Sequence, residues 1–350
     1  MPPTVSVVVP CFNAARTLPA CLAAIAAQTV APGEVVVVDD ASTDTSTAVA
    51  AAAGVRVVGQ PRNRGVSAAR NRGAAETTGA VLFYVDADVA LAPDALAEAL
   101  AVLDAEPEVG CVHGIYETTP LIDDGPLEHY KILSNHYWRR RSVGRVGTAL
   151  FALGAIRREV LERAGGFDEA LRDGEDIELS IRLRPLCAIR LTDAVAGRHD
   201  DADRWRAVLG EQFRRSRLLV PMARAERRPG RAEPPEAEAP TLTGQRPVAV
   251  AATAAALGAL ALMPLAALVT GGWPVFGAVA AAALVCALLA DPGLLAFVRR
   301  ERGWPYLGFF LLAQTAVLVV LVVGAVTGAL PVGRGRRPGT PPRPNAAVPR

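Results

Sequence analysis

The sequence divides sharply in two. Up to about Arg231 it is mixed and rich in charge, whereas from Pro247 to Leu330 it is almost wholly apolar, broken by one short arginine-bearing stretch that reads as a loop. Three hydrophobic stretches make up that second part: Pro247–Thr270, Pro274–Ala290 and Tyr306–Leu330. A membrane-spanning helix needs ~20 apolar residues. The first and third stretches qualify, and the second is marginal unless it continues past Asp291. Pro264 is tolerable in a membrane helix. Uncharged runs of this length are rare in soluble folds. The expected organisation is a folded domain over 1–227, a Pro/Glu-rich linker over 228–246, a transmembrane region of two to three spans over 247–330, and a disordered basic tail over 331–350.

Charge placement orients this arrangement. Arg214, Arg215, Arg217, Arg224, Arg227, Arg228 and Arg246 precede the first stretch, which puts that side in the cytoplasm. Three spans then send Arg334, Arg336, Arg337, Arg343 and Arg350 to the far side, against the same tendency. A re-entrant second stretch returns the tail but moves Arg299, Arg300 and Arg302 out. Three spans is the reading carried forward, with that conflict open.

Val5–Val9 ends at Pro10 and is too short for a secretory signal, so the first domain is expected to stay cytoplasmic. The five cysteines contain no C-x-x-C pair, which argues against a disulfide framework or zinc site. Lys131 is the only lysine. The arginines are scattered and not striped with aromatics, so nucleic acid is not an expected partner.

Within the first domain, apolar strands alternate with helices. Val5–Val9, Val35–Val38, Val55–Val58 and Val81–Val85 read as buried strands; Leu18–Gln28, Thr45–Ala53, Ser67–Glu76 and Pro93–Asp104 read as helices. That alternation predicts an α/β fold with a mainly parallel sheet covered on both faces. In such sheets ligands sit beyond the carboxyl ends of the strands, where Asp39-Asp40 and Asp86-Ala87-Asp88 fall. Further on, Glu128–Arg140 is an aromatic and basic helix suited to a membrane interface, Ala188–Leu191 a short strand, and Arg204–Arg224 an arginine-rich amphipathic helix.

Pro10-Cys11-Phe12-Asn13 follows the first strand where a dinucleotide fold would carry G-x-G-x-x-G, which disfavours that fold. Asp86 and Asp88, alternate residues after a strand, can aim two carboxylates at one site; hard oxygens of this kind suit Mg²⁺ or Mn²⁺ bridging phosphates. Asp39-Asp40, read alone, is a turn or helix cap. Gly165-Gly166-Phe167-Asp168-Glu169 and Gly174-Glu175-Asp176 precede an amphipathic helix. A carboxylate there is either a cap or a general base.

Together these segments resemble glycosyltransferase family 2, inverting enzymes with the GT-A fold. The likeness covers about Val5 to Leu183 and rests on the order of Val5–Asn13, Val36–Asp44, Asn63–Asn71, the D-x-D, and the Gly-Gly-Phe-Asp-Glu and Glu-Asp segments. The resemblance implies a GT-A-like catalytic domain over 1–227 that moves a sugar from a nucleotide-diphosphate sugar donor to a hydroxyl or phosphate acceptor. It implies that Pro10, Phe12, Asn13, Asp40 and Asp86 bind the nucleotide, with Asp40 at the base edge. Asp88, with Asp86 and His199, would hold the divalent cation, and Asp176, with Glu175 beside it, would act as base. Cys11 departs from the family's usual threonine or serine. The Q-x-x-R-W signature of processive synthases is absent, since Gln212 is followed by Phe213-Arg214-Arg215, which favours single transfer. The hydrophobic region adds membrane lipids as partners, a lipid-linked or surface-glycan acceptor, and a multi-pass location in the inner (plasma) membrane. Two rivals stand beside this reading. A nucleotidyltransferase on a related fold would need a Gly-rich loop after the first strand. A non-catalytic membrane scaffold would not need Asp40, Asp86, Asp88 and Asp176.

Overall fold

A computed structural model describes residues 4–226, 245–269 and 273–330. Most of the expected linker and all of the expected tail lie outside the described residues.

The first half builds β1 (Val5–Cys11), α1 (Leu18–Ala26), β2 (Glu34–Asp39), α2 (Ser46–Ala52), β3 (Arg56–Gly59), α3 (Val66–Ala75), β4 (Val81–Val85), β5 (Val89–Leu91) and α4 (Ala95–Ala105). After these come β6 (Val109–Tyr116), α5 (Pro126–Arg141), β7 (Gly144–Val146), β8 (Leu153–Arg157), α6 (Arg158–Ala164), α7 (Glu175–Leu183), β9 (Ala188–His199) and α8 (Trp205–Glu226). The strands form one nine-stranded sheet in the order β3-β2-β1-β4-β8-β6-β9-β5, with β7 on β9. β3, β2, β1 and β4 are parallel. β8 enters antiparallel between β4 and β6, so the second half of the sheet is mixed.

Valine-rich strands buried on both faces drive this core. Val5, Val7 and Val9 of β1 pack beneath α1 and α4 against Leu18, Leu22, Ile25, Leu96 and Leu103. Val8, Val36, Val38, Leu82 and Tyr84 face the other layer, against Ala69, Val160, Leu161, Leu179 and Leu183. Burying each such side chain contributes ~1.5–3 kcal/mol. Parallel register brings the carboxyl ends of β1, β2 and β4 to one edge. The far end of β9 joins them there, because His199 lies opposite Val89 of β5.

β9 is longer than the short Ala188–Leu191 segment expected. Pairing with β6, β7 and β5 extends it to His199, which is therefore the last residue of the strand.

The C-terminal part forms α9 (Pro247–Val269), α10 (Trp273–Leu289) and α11 (Pro292–Ala329). α9 and α11 are long and apolar enough to cross a membrane, and α10 is shorter. The arginine-bearing segment, read from sequence as a loop, is instead the first part of α11. A kink at Gly303 (φ 80°, ψ 179°), followed by Pro305, separates it from the long apolar part. α5, expected to suit a membrane interface, has one side packed on the C-terminal helices. Its Leu127, Tyr130 and Tyr137 are buried against Leu294, Val298, Leu307 and Phe310 of α11, because the aromatic side of α5 has a protein partner.

Candidate active site

The strand ends surround a cleft of about 380 Å³ lined by Pro10, Phe12, Asn13, Arg16, Asp40, Asp86, Asp88 and Asp200 among others. Phe12 stands 49% exposed at its rim, an aromatic face offered to solvent. Asn13 takes a left-handed backbone (φ 51°), and its Oδ1 accepts from the Thr43 amide at 2.8 Å. Its own amide donates to Ser42 Oγ at 2.9 Å. These bonds lock the loop after β1 to the loop after β2. Asp40 lines the cleft with both oxygens engaged. Oδ1 accepts from Arg64 N (2.7 Å) and Gln60 Nε2 (3.0 Å), and Oδ2 from Gly65 N (2.7 Å). Asp40 thus holds the loop that opens α3, a duty that the reading of it as a base-edge acceptor did not include.

Arg70 of α3 organises the floor. It is 2% exposed, and its guanidinium reaches Asp86 Oδ1, Glu175 Oε1 and Asp176 Oδ1, each at 3.1 Å. Three carboxylates from two separate segments therefore converge on one cation. Phe167 lies under Arg70 (5.4 Å from guanidinium carbon to ring centroid) and packs edge-on against Tyr84 and Phe151. Neighbouring Asn71 exchanges hydrogen bonds with the Phe167 amide and carbonyl at 2.8 and 2.9 Å. The Arg70-Asn71 and Gly165–Phe167 segments therefore interlock. Gly165 and Gly166, at φ 81° and 75°, turn the chain into that position, a conformation L side chains rarely adopt.

Asp176 sits in the first turn of α7. Burial pushes its carboxyl up to about 7, against the opposing pull of Arg70, with Glu175 and Asp86 adding to the rise. A carboxyl poised near neutrality suits proton abstraction.

Asp88 presents a second arrangement. Its Oδ1 is shielded and has no hydrogen-bond partner, as is Oδ1 of Asp200. Burial raises the Asp88 carboxyl to about 6, partly offset by His199. His199 Nε2 lies 3.6 Å from Asp88, its Nδ1 side faces Asp201 at 3.4 Å, and its ring stacks on Tyr116 at 4.4 Å. Burial pulls the imidazole down, but Asp88 and Asp201 outweigh it and lift it to about 9. Arg16 pairs with Asp124 and stands 4.0 Å from Asp200.

Of the three expected metal ligands, Asp88 and His199 meet, while Asp86 is turned to Arg70. Among the described residues no three His, Cys, Asp or Glu side chains cluster as a closed metal cage. The unpartnered hard oxygens of Asp88 and Asp200 still fit an open cation site of the Mg²⁺ kind, which takes one or two carboxylates and completes its shell from phosphate and water. Sequence reading gave no role to Arg70, Arg16, Asp200 or Asp201. Arg70 and Asp200 lay inside segments already singled out, but a lone arginine or aspartate carries no spacing signal of its own.

Residues 6–165 match the family described as Glycosyl transferase family 2. An uncharacterised glycosyltransferase of Haemophilus influenzae is 26% identical over 185 residues, 51% of this chain and 61% of the relative. The succinoglycan biosynthesis protein ExoU of Rhizobium meliloti is 32% identical over 204 residues, 52% of this chain and 57% of its own length. The chain thus matches less than two thirds of either relative. Among solved structures, the mannosyltransferase PcManGT of Pyrobaculum calidifontis, determined in complex with GDP-Man and Mn²⁺, aligns with a TM-score of 0.58 at 24% identity. The alignment covers 93% of this chain and 88% of that one, a likeness of fold.

Proposed function

Since residues 6–165 make this chain a member of glycosyltransferase family 2, we propose that it is an inverting transferase. It takes a sugar from a nucleotide-diphosphate donor and passes it to a hydroxyl or phosphate acceptor that is lipid-linked or part of a surface glycan. The observation that carries this reading is the gathering of Asp86, Glu175 and Asp176 on Arg70, beside the cleft that Asp88 and Asp200 line. Carboxylates gathered in and beside one cleft supply the roles that single displacement requires: one group to take a proton, others to manage leaving-group charge.

In this reading the Phe12 ring takes the nucleobase face, and Pro10, Asn13 and Asp40 form the wall of the nucleotide pocket. Arg16 at the rim offers positive charge to the diphosphate. A divalent cation would be held by the unpartnered oxygens of Asp88 and Asp200, with His199 beside Asp88 and Asp86 joining only by leaving Arg70, and would supply charge neutralisation for the departing diphosphate. PcManGT was determined with Mn²⁺, which supports Mn²⁺ or Mg²⁺ here. Asp176 accepts the proton as the acceptor O–H bond breaks. The new bond forms from that oxygen to the anomeric carbon, while the bond to the diphosphate oxygen breaks and its electron pair leaves with the nucleoside diphosphate. Attack from the opposite face inverts the configuration. Glu175 keeps Arg70 in place and holds negative charge beside Asp176.

Two helices of membrane-crossing length support membrane association, with the catalytic domain on the cytoplasmic side of the inner (plasma) membrane. Nothing in the cleft favours the nucleotidyltransferase or scaffold alternatives. The test is release of nucleoside diphosphate from a panel of nucleotide sugars by the full chain in detergent, with Mn²⁺ or Mg²⁺. Turnover that requires the metal and is lost in Asp88→Ala and Asp176→Asn is expected; turnover unchanged in both variants overturns the assignment.

A further inference from the structure

The placement of α8 against α11 bears on how the chain sits on a membrane. Beyond the Gly303 kink, α11 runs from Trp304 to Ala329, ~39 Å at 1.5 Å per residue, enough to fill the ~30 Å hydrocarbon core of a bilayer. α8 lies along most of that length. Trp205 meets Phe309 (ring centroids 6.1 Å apart), Ser216 and Phe213 back onto Gly324, and the Arg217 backbone backs onto Gly328. A side chain on Gly324 would lie 2.7 Å from Ser216 Cβ. Gly324 and Gly328 form the small-xxx-small spacing that lets helix backbones touch, and here the partner is within the same chain.

α8 is no membrane helix. Glu211 pairs with Lys131 of α5 (2.7 Å) and with Arg215 (2.8 Å), and Arg214 pairs with Asp173, just before α7, at 3.7 Å. Its other flank is thus tied to the catalytic domain. If α11 stood upright across a bilayer, α8 would carry Glu211, Arg214 and Arg215 into the hydrocarbon with it, where charged side chains are strongly disfavoured.

The α9–α10 hairpin behaves differently. Arg246, just before α9, pairs with Asp291, just after α10, at 3.1 Å. Tyr137 of α5 donates to the same carboxylate at 2.9 Å. Both ends of the hairpin therefore lie on the catalytic side. The face of α11 turned away from α8 is apolar and open: Trp304 is 68% exposed, Leu312 62% and Val326 58%. Arg299 stands over Trp304 at 5.0 Å and Arg300 over Phe297 at 5.7 Å, an aromatic and basic margin suited to headgroup depth over anionic lipid.

We propose that α11 lies in the plane of an anionic membrane leaflet, its Trp304–Leu312–Val323–Val326 stripe facing the acyl chains. The α9–α10 hairpin alone enters the hydrocarbon core, and the end of α11 at Ala329 stays on the catalytic side. This arrangement removes the charge conflict of three spans. Arg246, Arg299, Arg300 and Arg302 all fall on one side, in keeping with the positive-inside tendency. It does not depend on the sugar-transfer reading.

The test uses the full chain with Cys286→Ala, reconstituted in vesicles of phosphatidylcholine and phosphatidylglycerol. A fluorophore is placed at Leu312→Cys or at Val326→Cys, and its depth is read by lipids carrying quenchers at defined acyl positions. The two sites lie ~21 Å apart along the helix. Equal depth within ~5 Å supports an in-plane helix; a difference approaching ~20 Å overturns it. A peptide tag after Arg350 should become reachable by impermeant reagent from the same side as a tag before Met1, and opposite-side access overturns the proposal. If lipid quenchers fail to reach either site while Leu312→Cys cross-links to a second copy, the occupant is another chain and the lipid assignment falls.

Discussion

Arg70 sets the electrostatics of the cleft. Its one positive charge faces three carboxylates at 3.1 Å, and Asp176 is the one lifted to about 7 by burial. If Asp176 must be ionised to take a proton, turnover rises with pH through about 7 and falls below it. Asp176→Asn should lower kcat by ~10²–10⁴-fold with little change in donor KM, and should abolish the acid limb of the pH profile. Arg70 favours the ionised form of Asp176, so Arg70→Met should move the limb to higher pH in whatever activity is left. The same change leaves buried carboxylates without their cation. It should cost about 3 kcal/mol of stability, the low end of the range because the cleft admits water, measured by thermal unfolding in detergent with and without Arg70→Lys as a partial rescue. Asp176 and Asp86 were legible in the sequence because each sits at a recognisable boundary, the start of a helix and the end of a strand. Arg70 was not, since nothing local distinguishes an arginine inside α3 that ends fully buried from one on a solvated face; only the fold brings Asp86 and Asp176 to it.

Helix α3 reaches the sheet through Gly73, where an added methyl would overlap Val8 of β1. That close approach seats Ser67, Ala69 and Arg70 beneath the strand ends. Gly73→Ala raises helix propensity by ~1 kcal/mol, yet overpacking against a core valine costs ~1–3 kcal/mol. Net destabilisation is expected, together with lost turnover as Arg70 shifts; a rise in unfolding temperature would refute the packing argument. The valine-rich strands β1, β2, β3 and β4 and the helices between them were readable to within about two residues, because β1, β2 and β4, largely buried on both faces, appear as unbroken apolar runs, and the half-exposed edge strand β3 still carries a valine pair. β9 was not. Its twelve residues include exposed Asp193, Ala194 and Arg198, and its pairing with β6 shifts register between His113 and Ile115. Periodicity fails where a strand bulges, so the expected strand stopped at Leu191 and left His199 outside it. The arginine-bearing start of α11 was missed for a related reason: charge amid apolar residues imitates a loop, whereas Asp291 caps a helix there by accepting from Leu294 N at 2.9 Å.

At the scale of the whole molecule, the catalytic domain and the C-terminal helices meet through α5, whose aromatic side covers α11 and whose Tyr137 donates to Asp291. Arg246 completes that junction from the start of α9, with its guanidinium 5.3 Å from the Trp138 ring. Deeper in, Tyr130 donates to Gln314 of α11 at 2.8 Å, and Gln314 donates to Gln245. Polar groups bonded to one another among apolar helices have few alternative partners, so they fix one docking geometry where a purely apolar contact would allow sliding. Arg246 is partly exposed, so the Arg246–Asp291 pair should be worth only ~1 kcal/mol as an ion pair. Asp291 also caps α11 and accepts from Tyr137, so Asp291→Ala should cost more than Arg246→Met. The two effects should be less than additive, with a coupling of ~0.5–1 kcal/mol in a double-mutant cycle, read by denaturation of the full chain in detergent. Neither change touches the cleft, so release of nucleoside diphosphate should persist in both variants. Full additivity would mean that Arg246 and Asp291 do not interact, and that their ion pair does not help to hold α9 at this junction.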